Sequence, residues 1–463
     1  MKYLLIALLV VPLCVFSQEK RPNILFILAD DLGYRDCGYM GSDYYETPNI
    51  DQLANESMQF TNAYSGSSNC APSRACLLSG QYTARHEIYA VGSTARGPLD
   101  QMRLKPVPGY SDLDPALHTL PEVLQAVGYS TGLFGKWHLG EDSLHGPAAN
   151  GFQTFFDPRL GMNYMWRDLP NDPKGIYSVS DAACDFMRTK KDSSFFLLLS
   201  YHAPHFPIEA RPSSVEKFTA KTRGVYHSNA QYAACIYDLD DGIGRVLRCL
   251  DSLGLSKNTL VVFTSDNGST EMSIPFPLRG VKGTFYEGGI RVPLLMKWPG
   301  KIPEKSSCDV PVINVDFYPT FLAACNAKHP EKQVLDGENL LPVLEGKSTS
   351  LKRKAIFWHF PGYLDAGSTG GRDSLFRSRP VTVVRKGDWK LLLFHEEWLL
   401  DGGRQCVSTN NSVELYNLKD DPGESKNVAN VYVRERNKLI REIENWWKKT
   451  HAVLPAKKTI TDG

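Results

Sequence analysis

Asn23-Ile24-Leu25-Phe26-Ile27-Leu28-Ala29 runs apolar almost without a break and stops at Asp30-Asp31-Leu32-Gly33. A run this short and uniform reads as a strand buried on both faces, as in a parallel sheet covered by helices. Two further stretches share its shape. Thr259-Leu260-Val261-Val262-Phe263-Thr264 stops at Ser265-Asp266-Asn267-Gly268, and Ser194 to Ser200 reads Ser-Phe-Phe-Leu-Leu-Leu-Ser. Helical patterns at Leu120 to Ala126 and Asn229 to Leu253 lie between them. Strands alternating with helices predict an α/β fold, with a large central, mostly parallel sheet sandwiched by helices. Ligands of such sheets bind beyond the carboxyl ends of the strands. Asp30, Asp31, Asp266 and Asn267 are expected there.

The chain has 463 residues, 42% hydrophobic and 22% charged, with a formal net charge of +1. This is an ordinary globular composition, and a charge so near zero gives no bulk attraction to nucleic acid. Residues 1–17 read as a secretory signal: Lys2 is the positive start, Leu4 to Phe16 the apolar stretch, and Val15 and Ser17 fit the small positions before cleavage at Gln18. Export to the periplasm or the extracellular space is therefore expected, without stable membrane insertion, because the apolar run is short for a span. Cys14 leaves with the leader. No pair of the ten cysteines has Cys-x-x-Cys spacing, so no zinc site is expected. Pairing among the rest is not readable from sequence.

Composition shifts after about residue 345. Val381 to Val384 and Trp389 to Phe394 read as short strands around Lys386-Gly387-Asp388. Glu414 to Leu418 reads as another, and Arg434 to Lys449 as a charged amphipathic helix. The Gly-, Ser- and Arg-rich stretch Leu364 to Arg379 reads as a loop. The expected organisation is a leader (1–17), a main unit (18–350) and a C-terminal subdomain (351–463).

Cys70-Ala71-Pro72-Ser73-Arg74-Ala75-Cys76-Leu77-Leu78-Ser79-Gly80 is the segment richest in chemistry. By its residues alone, Cys70 is either a thiolate activated by a nearby cation or a buried cysteine at a turn. The acidic pairs supply oxygens of the kind calcium takes, and are equally readable as solvated loops or helix caps. Gly135-Lys136-Trp137-His138-Leu139-Gly140 and Tyr201-His202-Ala203-Pro204-His205-Phe206-Pro207 add basic groups. So does Leu278-Arg279-Gly280-Val281-Lys282-Gly283-Thr284-Phe285-Tyr286-Glu287-Gly288-Gly289-Ile290-Arg291-Val292-Pro293.

Taken together and in this order, these six motifs resemble those of the type I, formylglycine-dependent sulfatases of the alkaline phosphatase superfamily. The likeness runs from about residue 21 to about residue 450. The resemblance implies that a formylglycine-generating maturation enzyme oxidises Cys70 to formylglycine (3-oxoalanine). It implies Ca2+ held by Asp30, Asp31, Asp266 and Asn267 together with residue 70. It makes Arg74, Lys136 and Lys282 the sulfate contacts, with His138 and His205 moving protons. His205 is preferred to His202 because Ala-Pro-His-x-Pro is a common form of the motif. Arg279, Glu287 and Arg291 are read as structural ion pairs. The C-terminal part is expected to form a smaller antiparallel sheet packed with a helix. The implied reaction is hydrolysis of a sulfate ester on a sulfated glycan.

For the substrate, His359 in Trp358-His359-Phe360-Pro361 is the first choice of contact. Other candidates are Arg96, Arg103 and Lys105, the stretch Tyr164-Met165-Trp166-Arg167, and Arg372 and Arg377 in the Gly-rich loop. Rival readings are a phosphonate or phosphate ester hydrolase on the same fold, a sulfoglycan-binding protein with unmodified Cys70, and a cysteine hydrolase.

Overall fold

The computed structural model describes residues 21–159 and 170–458. The expected leader (1–17), and Tyr164, Trp166 and Arg167, lie outside the described residues. The main sheet has eight strands. In chain order they are β1 (Asn23–Asp30), β2 (Met58–Phe60), β3 (Ser130–Gly135), β4 (Thr154–Phe156), β5 (Phe195–Pro204), β6 (Thr259–Ser265), β7 (Leu294–Lys297) and β8 (Ser306–Cys308). Across the sheet their order is β8-β2-β7-β6-β1-β5-β3-β4. β6, β1, β5, β3 and β4 are all parallel, whereas β7 runs antiparallel to both its neighbours. The three apolar runs that predict buried strands are thus the adjacent centre of the sheet.

β1 shows why the run has no polar face. Side chains alternate across a strand. Leu25, Ile27 and Ala29 join Leu197, Leu199, Val261 and Phe263 in one core. Ile24, Phe26 and Leu28 join Phe196, Leu198, Leu260 and Val262 in another. The first core is closed by α2 (Ile176–Lys190) and α3 (Ala230–Ser252), the second by α1 (Cys70–Ser79) and the helix at Phe317–Ala324. α3 starts where Asn229 Oδ1 accepts a hydrogen bond from Tyr232 N–H at 3.0 Å, the usual service of an asparagine cap.

The C-terminal strands β9 (Ile356–Phe360), β10 (Val381–Lys386), β11 (Trp389–Phe394) and β12 (Val413–Asn417) form an antiparallel sheet in that order. α4 (Val433–Thr450) lays Leu439, Ile440, Ile443 and Trp446 on it. This core also takes Tyr64, Cys76, Tyr82, Phe285, Tyr286 and Ile290 from the main body. The Gly-rich loop is closed by a short antiparallel pair, Leu364–Asp365 with Phe376–Ser378. Among the described residues no helix is long and apolar enough to cross a membrane, and all nine cysteines are free thiols.

Candidate active site

Strand ends converge at one place. β1 ends in Asp30 and Asp31, β6 leads to Asp266 and Asn267, β3 to Lys136 and His138, and β5 to His205. All lie at the carboxyl ends of parallel strands, where the crossover geometry leaves a crevice. α1 points into it. Cys70 and Arg74 are one helical turn apart and therefore share a face. Pro72 is tolerated between them because first-turn N–H groups have no partner within the helix. All ten residues of α1 are buried.

Arg74 is locked in place. Its Nε and Nη2 donate to Asp266 Oδ2 at 3.0 and 2.8 Å, and its Nη1 donates to Lys136 O at 2.9 Å and to Ser200 Oγ at 2.5 Å. Ser200 in turn donates to Lys136 O at 2.7 Å. The sequence carries no signal for this role of Ser200, beyond its place at the end of an apolar run. Lys136 Nζ meets Asp30 Oδ2 at 2.5 Å, and Lys282 Nζ meets Asp31 Oδ2 at 2.8 Å. Lys282 is fixed from its backbone: its N–H donates to Ser269 O at 2.7 Å and that of Gly283 to Ser68 O at 2.9 Å. The Cys70 thiol lies 3.7 Å from Asp31 Oδ1.

The two histidines left open by sequence separate. His205 Nε2 lies 3.7 Å from Asp31 Oδ2, with its side chain 32% exposed beside a carboxylate at 1%. His202 turns away to Asp157, Nε2 to Oδ1 at 2.9 Å. His138 is half-buried, and its Nδ1 is a buried atom with no hydrogen-bond partner among the described residues.

Three buried carboxylates face buried Arg74 and the half-buried Lys136 and Lys282. Burial drives Asp30 up, but Lys136, His205, Arg74 and Lys282 together hold it well below the ordinary carboxylate value. Asp31 is likewise held low against burial, chiefly by Lys282 and His205. Asp266 goes the other way: burial, and then the charge of Asp30, push it up to about 7. Neighbouring carboxylates in a dry site resist common ionisation unless further positive charge arrives. The donor atoms agree. Asp30, Asp31, Cys70 and His205 each bring a ligand atom within 4.8 Å of the others. Among the described residues Asp30 Oδ1 and Asn267 Oδ1 are buried oxygens without a hydrogen-bond partner. Carboxylate and amide oxygens are the set a hard cation such as calcium takes, so these residues fit one. Burial pushes the Cys70 thiol up, against the pull of Lys136 and Lys282. A thiol kept protonated is a poor nucleophile, which weighs against a cysteine hydrolase.

The substrate candidates fare unevenly. His359 is corrected: it is 1% exposed, with Nδ1 on Thr382 Oγ1 at 2.8 Å and Nε2 on Val453 O at 3.0 Å. Both nitrogens are used inside the C-terminal core, so it has nothing to offer a ligand. Trp358 is buried too, donating to Ser65 O at 2.8 Å. Arg96 pairs with Asp365 at 2.5 Å, Arg103 with Asp401 at 2.6 Å and Arg372 with Glu397 at 2.8 Å. Arg279, Glu287 and Arg291 make structural contacts. Arg279 Nη1 donates to Tyr416 Oη at 3.0 Å, Glu287 pairs with Lys390 at 3.0 Å, and Arg291 Nε donates to Thr61 O at 3.0 Å.

Comparison with known proteins adds an independent observation on the chain as a whole. The family model "Sulfatase" matches residues 22–327, and "N-sulphoglucosamine sulphohydrolase, C-terminal" matches residues 281–451. The chain is 34% identical to a "Sulfatase" of Formosa agariphila, over 92% of this chain and 89% of that protein. It is 32% identical to the N-acetylgalactosamine-6-sulfatase of Mus musculus, over 79% and 74%. The crystal structure of Ps i-CgsB in complex with k-i-k-neocarrahexaose superposes with a TM-score of 0.72 at 28% identity, covering 96% of each chain.

Proposed function

The chain belongs to the sulfatase family and is a sulfuric ester hydrolase, and on that premise we propose that it removes sulfate from a sulfated glycan through a formylglycine made from Cys70. Asp30, Asp31, Asp266 and Asn267, with residue 70, hold the calcium. The observation that carries the reading is the convergence of Arg74, Lys136 and Lys282 on three buried carboxylates around Cys70. The carbohydrate class rests on two relatives: one acts on N-acetylgalactosamine sulfate and the other was crystallised with a neocarrahexaose.

When present, formylglycine supplies a hydrated-aldehyde hydroxyl for attack on sulfur, and calcium supplies positive charge beside it. The chain's own residues do the rest. Arg74, Lys136 and Lys282 present fixed positive charge to the sulfuryl oxygens, with no reorganisation during reaction. Lys136 and Lys282 each hold a carboxylate as well, which keeps their ammonium groups aimed and charged. His205, beside Asp31 and part-exposed, is placed to protonate the departing alcohol. To His138 falls the proton whose removal lets sulfate leave; its Nδ1 has no hydrogen-bond partner among the described residues.

The test is mass spectrometry across residue 70, on protein co-produced with a formylglycine-generating enzyme, paired with sulfate release from 4-nitrophenyl sulfate and sulfated glycans. Thiol-to-aldehyde conversion together with sulfate release is expected. An unconverted Cys70 despite a competent maturation enzyme overturns the scheme. Export to the periplasm or beyond is part of the same proposal, and N-terminal sequencing of secreted protein should begin at Gln18.

A further inference from the structure

We propose that Arg377 binds a second anionic substituent, sulfate or carboxylate, on the glycan whose sulfate is removed. The inference rests on the reading of Cys70 as the centre of sulfate removal and adds the specificity that reading lacks.

Arg377 stands on the short strand Phe376–Ser378, which returns the Gly-rich loop to the C-terminal sheet. The loop is fastened to the motif that carries Lys282. Arg279 Nε donates to Gly370 O at 2.8 Å and its Nη2 to Gly371 O at 3.3 Å, while Thr369 N–H donates to Glu271 Oε1 at 2.9 Å. The stem of Arg377 lies directly on Gly283. A Cβ there would fall 2.2 Å from Arg377 Cδ and 3.0 Å from its Cγ, and Gly283 has φ +88°. That space and that backbone are open only to glycine. Gly283 follows Lys282 and is hydrogen-bonded to Ser68, two residues before Cys70. The arginine is therefore seated at the edge of the sulfate site by a segment the site itself uses.

Nothing among the described residues answers its charge. Arg377 Nε is buried without a partner, and the guanidinium has no hydrogen bond or ion pair among the described residues. Its neighbours differ. Arg372 holds Glu397 and lies 3.5 Å from the Phe394 ring centroid, and Arg379 bridges Asp373 and Glu396 at 2.6 and 2.9 Å. A half-buried guanidinium without an anion bears a desolvation cost with no return. Its planar fork matches sulfate or carboxylate in two parallel hydrogen bonds. The scissile sulfate already has Arg74, Lys136 and Lys282, each of which touches Asp30, Asp31 or Asp266; Arg377 touches none of them. Its anion is therefore a neighbour on the substrate, not the transferred group.

The experiment uses the matured, calcium-loaded enzyme and its Arg377→Gln and Arg377→Lys variants. Calorimetric affinities and kcat/KM are measured for 4-nitrophenyl sulfate and for three sugars: N-acetylgalactosamine 6-sulfate, N-acetylgalactosamine 4,6-disulfate and the uronate-bearing disaccharide of chondroitin 6-sulfate. The wild type should favour a doubly anionic sugar over the monosulfated one by about ten-fold or more. Arg377→Gln should bring that ratio to within about two-fold, and Arg377→Lys should restore part of it. Whether the disulfate or the uronate shows the effect names the second anion. No preference in the wild type for either dianion overturns the proposal. So does a preference that survives Arg377→Gln, or a loss of the same size on 4-nitrophenyl sulfate. If selective binding appears without sulfate release from any substrate, the hydrolytic reading fails and only the anion-binding role of Arg377 stands.

Discussion

Cys70, Asp31 and Lys282 form one short chain of contacts, thiol to carboxylate at 3.7 Å and carboxylate to ammonium at 2.8 Å. Substituting its members separates chemistry from folding. Cys70→Ala removes one sulfur from a helix already rich in alanine and leaves Arg74 on Asp266. We expect turnover at background while the melting temperature stays within about 3 °C of wild type by calorimetry. Lys136→Ala is different, because it removes a sulfate contact and also leaves buried Asp30 with Arg74, at 3.9 Å, as its remaining ion pair among the described residues. A kcat/KM lower by about 100- to 1000-fold on 4-nitrophenyl sulfate is expected, together with a lower melting temperature. Removing the metal acts on the same atoms. Dialysis against EGTA should abolish turnover and lower the melting temperature, and Ca2+ should restore both where Mg2+ does not. Activity indifferent to chelation removes calcium from the account.

Strand β3 delivers Lys136 through Gly135, and that junction tolerates no side chain. Gly135 has φ +98°, and a Cβ on it would fall 1.9 Å from Ser200 O. Gly135→Ala should therefore destabilise the protein by more than about 2 kcal/mol in urea titration and displace Lys136 with it. A second junction ties the site motif to the C-terminal sheet. Lys390 on β11 is fully buried between Glu287 and Glu424, at 3.0 and 2.9 Å. Burial pushes Glu424 from its ordinary 4.5 up to about 7 in spite of Lys390, and the charge of Glu287 adds to the push. The folded chain thus keeps a proton that the unfolded chain gives up above about pH 4.5. The contribution of Glu424 to stability must fall as pH rises from about 4.5 to 7. Glu424→Gln keeps an acceptor for the Glu287 N–H, which Glu424 Oε2 receives at 2.6 Å, and cannot ionise. Between pH 5.5 and 8 its stability relative to wild type should rise, by on the order of 1 kcal/mol. Thermal melts at several pH values decide this, and parallel curves for the two proteins refute it.

Across the whole molecule, the division near residue 350 proposed from composition separates two sheets that share a core. Tyr64, Cys76 and Ile290 pack with Val383, Leu391 and Leu415. We expect one cooperative thermal transition, and a chain ending at residue 350 that does not fold; two separated calorimetric peaks contradict this. Much of the centre was legible beforehand. A short unbroken apolar run bounded by turn residues fits a strand covered on both sides, so β1, β5 and β6 and the acidic pairs at their ends follow from residue pattern alone. The amphipathic helix at the C-terminus follows in the same way. Local pattern also sets the one-turn spacing of Cys70 and Arg74. Partners distant in sequence leave no such trace. Ser200 reads as the end of a strand, yet it is the clasp on Arg74. His202 and His205 are three residues apart, and only the path of β5 sends one to Asp157 and the other to Asp31. His359 and Arg377 look alike as exposed, basic candidates in one aromatic, Gly-rich region, but the fold buries the first with both nitrogens bonded and leaves the second without an anion among the described residues. Periodicity and spacing determine which elements form and which groups each carries, because those depend on neighbours along the chain. Which charges meet, which are left unmet and which face a ligand depends on neighbours across space, and only the tertiary structure decided it.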